Sequence, residues 1–250
     1  MAVSLPVSIP VVSRPSPNHG PRPDGVPVDI LLVHYTGMPT GGQALERLCD
    51  PAAQVSAHYL IEEDGTVFSL VDEDRRAWHA GAGYWQGERD INSRSVGVEL
   101  VNPGHEWGYR PFPGAQMASF AALAGAVMER HGILPHRVLA HSDVAPARKE
   151  DPGELFDWRW LAARGIGFWP IPSALDDGPG HAVAEAQALL ARFGYEVEST
   201  GVLNPQTRVA ATAFQRHFIP ERCGYGLDAV FMRILRAAVR QMDASSLTPR

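Results

Sequence analysis

Three short runs limit the folds open to this chain. DILLVHYTG (29–37), SVGVELV (95–101) and RVLAH (137–141) are strand-length and mostly apolar, as strands buried inside a sheet are. Around them lie helical stretches: a short one at GGQALERLCD, an Ala-rich one over 114–131 with Gly132 at the C-cap position, and a closing one at FDWRWLAARG (156–165). VSAHYLIEEDGTVFSLV (55–71) adds two strand-like runs around Asp64-Gly65, a hairpin signal. Residues 72–94 read as a polar loop. Strands alternating with helices about a buried sheet make an α/β fold.

The rest of the chain divides around that unit. Residues 1–27 carry seven prolines and read as an extended arm. After the α/β unit (28–167), GIGFWPIPSALDDGPG marks a linker, placed at 168–180. Residues 181–250 then show three helical patterns, at roughly 181–193, 205–218 and 228–241, the second opened by Asn204-Pro205 as N-cap and N1. A net charge of −6 argues against nucleic-acid binding, which needs a basic face. Cys49 and Cys223 form neither a disulfide framework nor a C-x-x-C motif and read as small apolar residues. No apolar run approaches the 18 residues of a membrane span. The start, MAVSLPVSIPVVSRP, lacks a basic stretch and is interrupted by Pro6 and Pro10, so no secretory leader is expected.

The chemistry concentrates at strand ends. His34 and His141 each end an apolar run, and Asp151 follows His141 by ten residues. Two imidazoles and a carboxylate leave a fourth position for water, as in catalytic zinc sites. Spacing alone does not separate this from histidines that pack or meet solvent. His141-Ser142-Asp143 equally fits a two-His, one-carboxylate iron centre, in which Asp143 would replace Asp151. Glu99 sits within a buried strand, where a carboxylate is costly unless it is paired, near a metal or facing a cavity. An ion pair with an arginine, or an edge face open to water, would also accommodate it. Lys149, in AHSDVAPARKEDPG (140–153), is the single lysine among 22 basic residues.

VHYTG, the hairpin VSAHYLIEEDGTVFSLV, RAWHAG, NSRSVGVELVN, AHSDVAPARKEDPG and FDWRWLAARGIG resemble, in order, the zinc-dependent N-acetylmuramoyl-L-alanine amidases (amidase type 2). That family includes bacteriophage T7 lysozyme and is related to the peptidoglycan recognition proteins; the likeness covers about residues 28–167. It implies a mixed central sheet flanked by helices, one Zn2+ ion and a peptidoglycan or muropeptide substrate. The implied reaction is hydrolysis of the amide between N-acetylmuramic (or 1,6-anhydro-N-acetylmuramic) acid and L-Ala of the stem peptide, in peptidoglycan turnover or recycling. By motif, His34, His141 and Asp151 correspond to the zinc ligands, Glu99 to the general base and Lys149 to the cation that stabilises the oxyanion. Tyr35, His58, Trp78, His79, Asn92 and Arg94 fall in matched motifs as candidate substrate contacts. For His58 a structural role is the leading alternative, and for His79, Asn92 and Arg94 a supporting role is equally open.

The stretch VAEAQALLARFGYEVESTGVLNPQTRVAATAFQRHFIP resembles the three-helix peptidoglycan-binding module of wall hydrolases, through Gln187, Leu190, Gly194-Tyr195, Gly201, Thr207, Ala210 and Phe214-Gln215. A non-catalytic muropeptide recognition protein on the same fold is the rival reading, but such a protein needs neither Glu99 nor Lys149. The missing leader favours the cytoplasm, and the appended module favours the cell envelope; the cytoplasm leads. The sequence names no protein partner.

Overall fold

The apolar runs become β3 (Ile30–Tyr35) and β7 (Ser95–Leu100), which pair in parallel with His34 beside Glu99. A computed structural model of the chain describes residues 11–178 and 182–246. Residues 1–10 of the expected arm, 179–180 of the expected linker and His181 lie outside the described residues. In chain order the other strands are β1 (Val11–Ser13), β2 (His19–Pro21), β4 (Tyr59–Ile61), β5 (Val67–Ser69), β6 (Arg75–Ala77) and β8 (Val138–Ala140). The helices are α1 (Gly41–Cys49), α2 (Ile91–Arg94), α3 (Gly104–Trp107), α4 (Gly114–His131), α5 (His141–Val144), α6 (Trp158–Ala162), α7 (Val183–Phe193), α8 (Pro205–Phe218) and α9 (Ala229–Ser246).

The main sheet has the order β1-β5-β4-β7-β3-β8. Strands β3, β4, β7 and β8 run parallel, and β5 turns back antiparallel to β4 through the Asp64-Gly65 hairpin. It is thus the mixed sheet flanked by helices that the resemblance implied. Gly132 caps α4 at φ 67°, in the left-handed region that glycine adopts without cost. Asn204 caps α8 by accepting from the Thr207 amide, with Pro205 following it.

Alternation along the strands sends side chains to two covered faces. Leu31, Val33, Val96, Val98, Leu100 and Val138 pack with Phe120, Leu123 and Val127 of α4 and with Trp158 and Leu161 of α6. On the opposite face Ile30, Leu32 and Leu139 share one core with Trp85, Ile91, and Phe193, Phe214, Phe218, Phe231 and Leu235 of the C-terminal helices. The C-terminal helices therefore lie on the sheet itself. His34, Gly97 and Glu99 belong to this second face.

Two segments differ from the sequence reading. The described part of the proline-rich arm is not a free extension. It adds β1 to the sheet edge, pairs β2 with β6, and sends Arg22 inward to the carbonyls of Glu73, Asn92, Ser93 and Ser95. The loop 72–94 likewise contains β6 and α2. Their partners lie far away in sequence, so three-residue strands of this kind leave no local periodicity to read.

Candidate active site

Parallel strands place their C-terminal ends along one edge, the usual location of sites in open α/β sheets. His34 lies at that end of β3 and Glu99 at that end of β7. His141 is the first residue of α5, immediately after β8, rather than the last of the strand. Asp151 approaches on the loop after α5, which is tied back by the Ser142 amide donating to the Asp151 carbonyl at 3.0 Å.

His34 Nδ1 is 2.9 Å from His141 Nδ1 and 3.1 Å from Asp151 Oδ2, and His141 Nδ1 is 2.9 Å from Asp151 Oδ2. All three residues are buried. The surrounding hydrogen bonds assign the tautomers. His141 Nε2 donates to the Ala80 carbonyl (2.9 Å), leaving its Nδ1 without a proton. His34 Nε2 donates to His79 Nδ1 (3.0 Å), His79 Nε2 to Ser95 Oγ (3.3 Å), and that hydroxyl to the Ile91 carbonyl (2.6 Å). His34 Nδ1 is thereby also bare. Burial, and then His141, lower the His34 pKa to about 4, and burial holds His79 well below the ordinary histidine range, so both rings are neutral at pH 7. Two bare nitrogens and a carboxylate oxygen converge with no proton among them, an arrangement that fits a metal cation held at their centre.

This trio opens on a cleft of about 890 Å³, also lined by Tyr35, Trp78, His79, Glu99 and Lys149. Glu99 Oε2 is buried and has no hydrogen-bond partner among the described residues. Burial, and then Asp151, push its pKa well above the ordinary carboxylate value, against the opposing pull of Lys149. The Lys149 ammonium makes no hydrogen bond or ion pair among the described residues. Tyr35 donates to His105 Nδ1 at 2.9 Å on the rim.

Three predicted contacts lie elsewhere. His58 is fully buried behind His79; its Nδ1 accepts from the Gly97 amide (2.9 Å), and its Nε2 lies 3.0 Å from the Arg22 guanidinium and 3.1 Å from the Arg75 carbonyl. Asn92 accepts from the amides of His79 and Ala80, which holds the loop that orients both metal-site histidines. Arg94 pairs with Asp29 and Glu88, away from the cleft. Asp143 is not a ligand either. Its oxygens accept from Tyr195 Oη (2.6 Å), the Ala140 amide (2.8 Å) and His217 Nδ1 (2.7 Å), and this removes the iron-centre reading.

Sequence reasoning passed over Gly97, whose role is steric. A methyl group there would lie 2.5 Å from the His79 ring. Gly97→Ala is therefore expected to displace His79 from His34 and weaken metal binding about 10–100-fold, measured by chelator competition. It also passed over Arg208, Thr212 and Arg216 of α8, which line the cleft. Their four-residue spacing was readable, but not the direction in which that stripe faces.

With this geometry in place, comparison with known proteins is informative. The family described as N-acetylmuramoyl-L-alanine amidase matches residues 24–154. The chain is 35% identical to N-acetylmuramoyl-L-alanine amidase AmiD of Escherichia coli over 233 residues, 86% of this chain and 83% of that protein. It is 35% identical to 1,6-anhydro-N-acetylmuramyl-L-alanine amidase AmpD of Enterobacter cloacae over 161 residues, 58% of this chain and 84% of that one. The fold superposes on the Escherichia coli AmiD structure in complex with the substrate anhydro-N-acetylmuramic acid-L-Ala-D-gamma-Glu-L-Lys with a TM-score of 0.75 at 34% identity, covering 91% of this chain and 93% of that one. On Pseudomonas aeruginosa AmpDh3 in complex with anhydromuramic pentapeptide the TM-score is 0.76 at 29% identity, covering 96% and 99%.

Proposed function

The chain belongs to the N-acetylmuramoyl-L-alanine amidase family, and from that premise we propose that it hydrolyses the amide between the lactyl group of N-acetylmuramic or 1,6-anhydro-N-acetylmuramic acid and L-Ala, with zinc held by His34, His141 and Asp151. The observation that carries this is the pairing of the proton-free trio with one unpartnered carboxylate and one unpartnered ammonium in the same cleft. Zinc bound there would supply Lewis acidity, lowering the pKa of water towards ~7 and polarising the scissile carbonyl. Glu99 takes the proton of the attacking water, at the Oε2 that no protein donor occupies, and returns it to the departing L-Ala amine. The Lys149 ammonium meets the negative charge that develops on the carbonyl oxygen. His79, Asn92 and the Ala80 carbonyl hold the two imidazoles in orientation towards the cleft.

The test is incubation with soluble 1,6-anhydromuropeptide and with murein sacculi, each with zinc or with chelator, and identification of products by mass spectrometry. Chelator-sensitive release of the intact stem peptide is expected, restored by zinc; no such release from either substrate contradicts the proposal. Lys149→Arg is expected to retain metal yet lose about 10²-fold in kcat, because the planar guanidinium does not reproduce a compact ammonium. Near-normal turnover by that variant removes the oxyanion role.

For the compartment we propose the cytoplasm, in recycling of anhydromuropeptides. Kinship with amidases named for anhydromuropeptides supports that substrate, and cell fractionation against envelope markers tests the compartment. For the C-terminal helices we propose binding of peptidoglycan-derived chains, supported by the helical pattern and by the contribution of α8 to the cleft wall.

A further inference from the structure

The residues that suggested a wall-binding module are largely used inside the protein. Gly194 leaves room for the Trp85 ring, Tyr195 donates to Asp143, and Phe214 is buried in the core shared with the sheet. Gln187 bonds Thr200, Val202 and Thr207, and Gln215 donates to the Gly226 carbonyl. What α8 turns outward, towards the metal-holding trio, is a stripe of Arg208, Thr212 and Arg216. Successive members are four residues apart, so they lie on one side of the helix and span about 12 Å along its axis.

Their state is that of a site rather than a packed surface. Arg208 is exposed to the cleft, and its guanidinium makes no hydrogen bond or ion pair among the described residues. Arg216 is mostly buried; among the described residues its Nε has no hydrogen-bond partner and stands 3.7 Å from the Glu154 carboxylate. Arginine forks match carboxylates in particular. A muropeptide carries its free carboxylates only on the peptide side, because the lactyl carboxyl is consumed in the scissile amide and the anhydro sugar is neutral. A γ-linked glutamate leaves its α-carboxylate free two residues from the cleavage point.

We infer that Arg208 and Arg216, with Thr212 between them, form a stem-peptide carboxylate subsite, so that the C-terminal unit sets substrate specificity at the catalytic cleft. This rests on the amidase reading above.

The test compares anhydro-N-acetylmuramic acid-L-Ala-D-γ-Glu-L-Lys with its counterpart bearing an α-carboxamide on the second residue. The parent chain is expected to favour the carboxylate form about 10-fold in kcat/KM. Arg208→Gln, alone and combined with Arg216→Gln, should bring the two substrates to within about 2-fold by raising KM for the carboxylate form alone, because binding lost equally from ground and transition states leaves kcat unchanged. Arg216→Lys should keep part of the preference. No preference in the parent chain, or an equal loss on both substrates in Arg208→Gln, overturns the inference while leaving the amidase reading intact. Should Arg216→Gln fail to fold, the exposed Arg208→Gln decides the question alone. A parent chain that cleaves neither compound overturns the amidase reading and this inference with it.

Discussion

Glu99→Gln is expected to fold, to carry as much metal as the parent chain, and to cleave muropeptide about 10³-fold more slowly, within the range that general base catalysis supplies. The substitution keeps the shape of the side chain and removes only its capacity to take a proton. Metal should stay, because Glu99 stands outside the trio of His34, His141 and Asp151. Stability is the discriminating readout. A carboxylate kept for structure would be paired, and its loss would lower the melting temperature. Glu99 Oε2 is instead buried without a donor among the described residues, so the fold gains nothing from its charge. The glutamine variant should therefore melt no lower than the parent. Kinetics by mass spectrometry, metal content by elemental analysis and a thermal melt together settle the matter. Residual turnover within a few-fold of the parent, or loss of metal, would remove Glu99 from the role of base.

Much of this site was legible because its residues sit at the ends of runs that declare themselves as strands. His34 closes one apolar stretch and Glu99 lies inside another, and parallel pairing of those stretches is enough to bring them side by side. Asp151 and Lys149 were legible through their motif, not through any periodicity. What stayed hidden depends on partners distant in the chain. His58 and Asn92 look like site histidine and site amide in sequence. Only the fold shows that one spends both ring nitrogens on Gly97, Arg75 and Arg22 and the other holds the 79–80 loop. Asp143 sits two residues from a metal-site histidine, the spacing of an iron ligand, yet faces the opposite way because Tyr195 and His217, more than fifty residues later, claim it. The facing of α8 was hidden for the same reason. An amphipathic helix announces which residues it buries, but not what its other side overlooks.

Those long-range claims bear on a second large effect. A relative that aligns with only 58% of this chain invites the view that the α/β unit can stand alone. A chain ending at Gly167 is nevertheless expected to be insoluble, or to lack a cooperative melting transition. Removing the C-terminal helices uncovers Ile30, Leu32, Trp85, Ile91, Leu139 and Val144, all at most 2% exposed in the intact fold. Exposure of each such side chain costs at most about 1.5–3 kcal/mol, together at most about 9–18 kcal/mol. Net stabilities of whole domains are about 5–15 kcal/mol. Truncation also strips the Tyr195 hydroxyl and the His217 imidazole from the Asp143 carboxylate, leaving a buried acid two residues from His141. A milder variant isolates that last contribution: Tyr195→Phe should cost about 1.5–3 kcal/mol, the value of a hydrogen bond to a charged group, while leaving the shared core in place. A truncated chain that melts cooperatively and cleaves muropeptide at the parent rate would show that the helices are an accessory after all. Loss of cooperative folding, with Tyr195→Phe destabilised but active, would show that they complete the core on which the metal site is built.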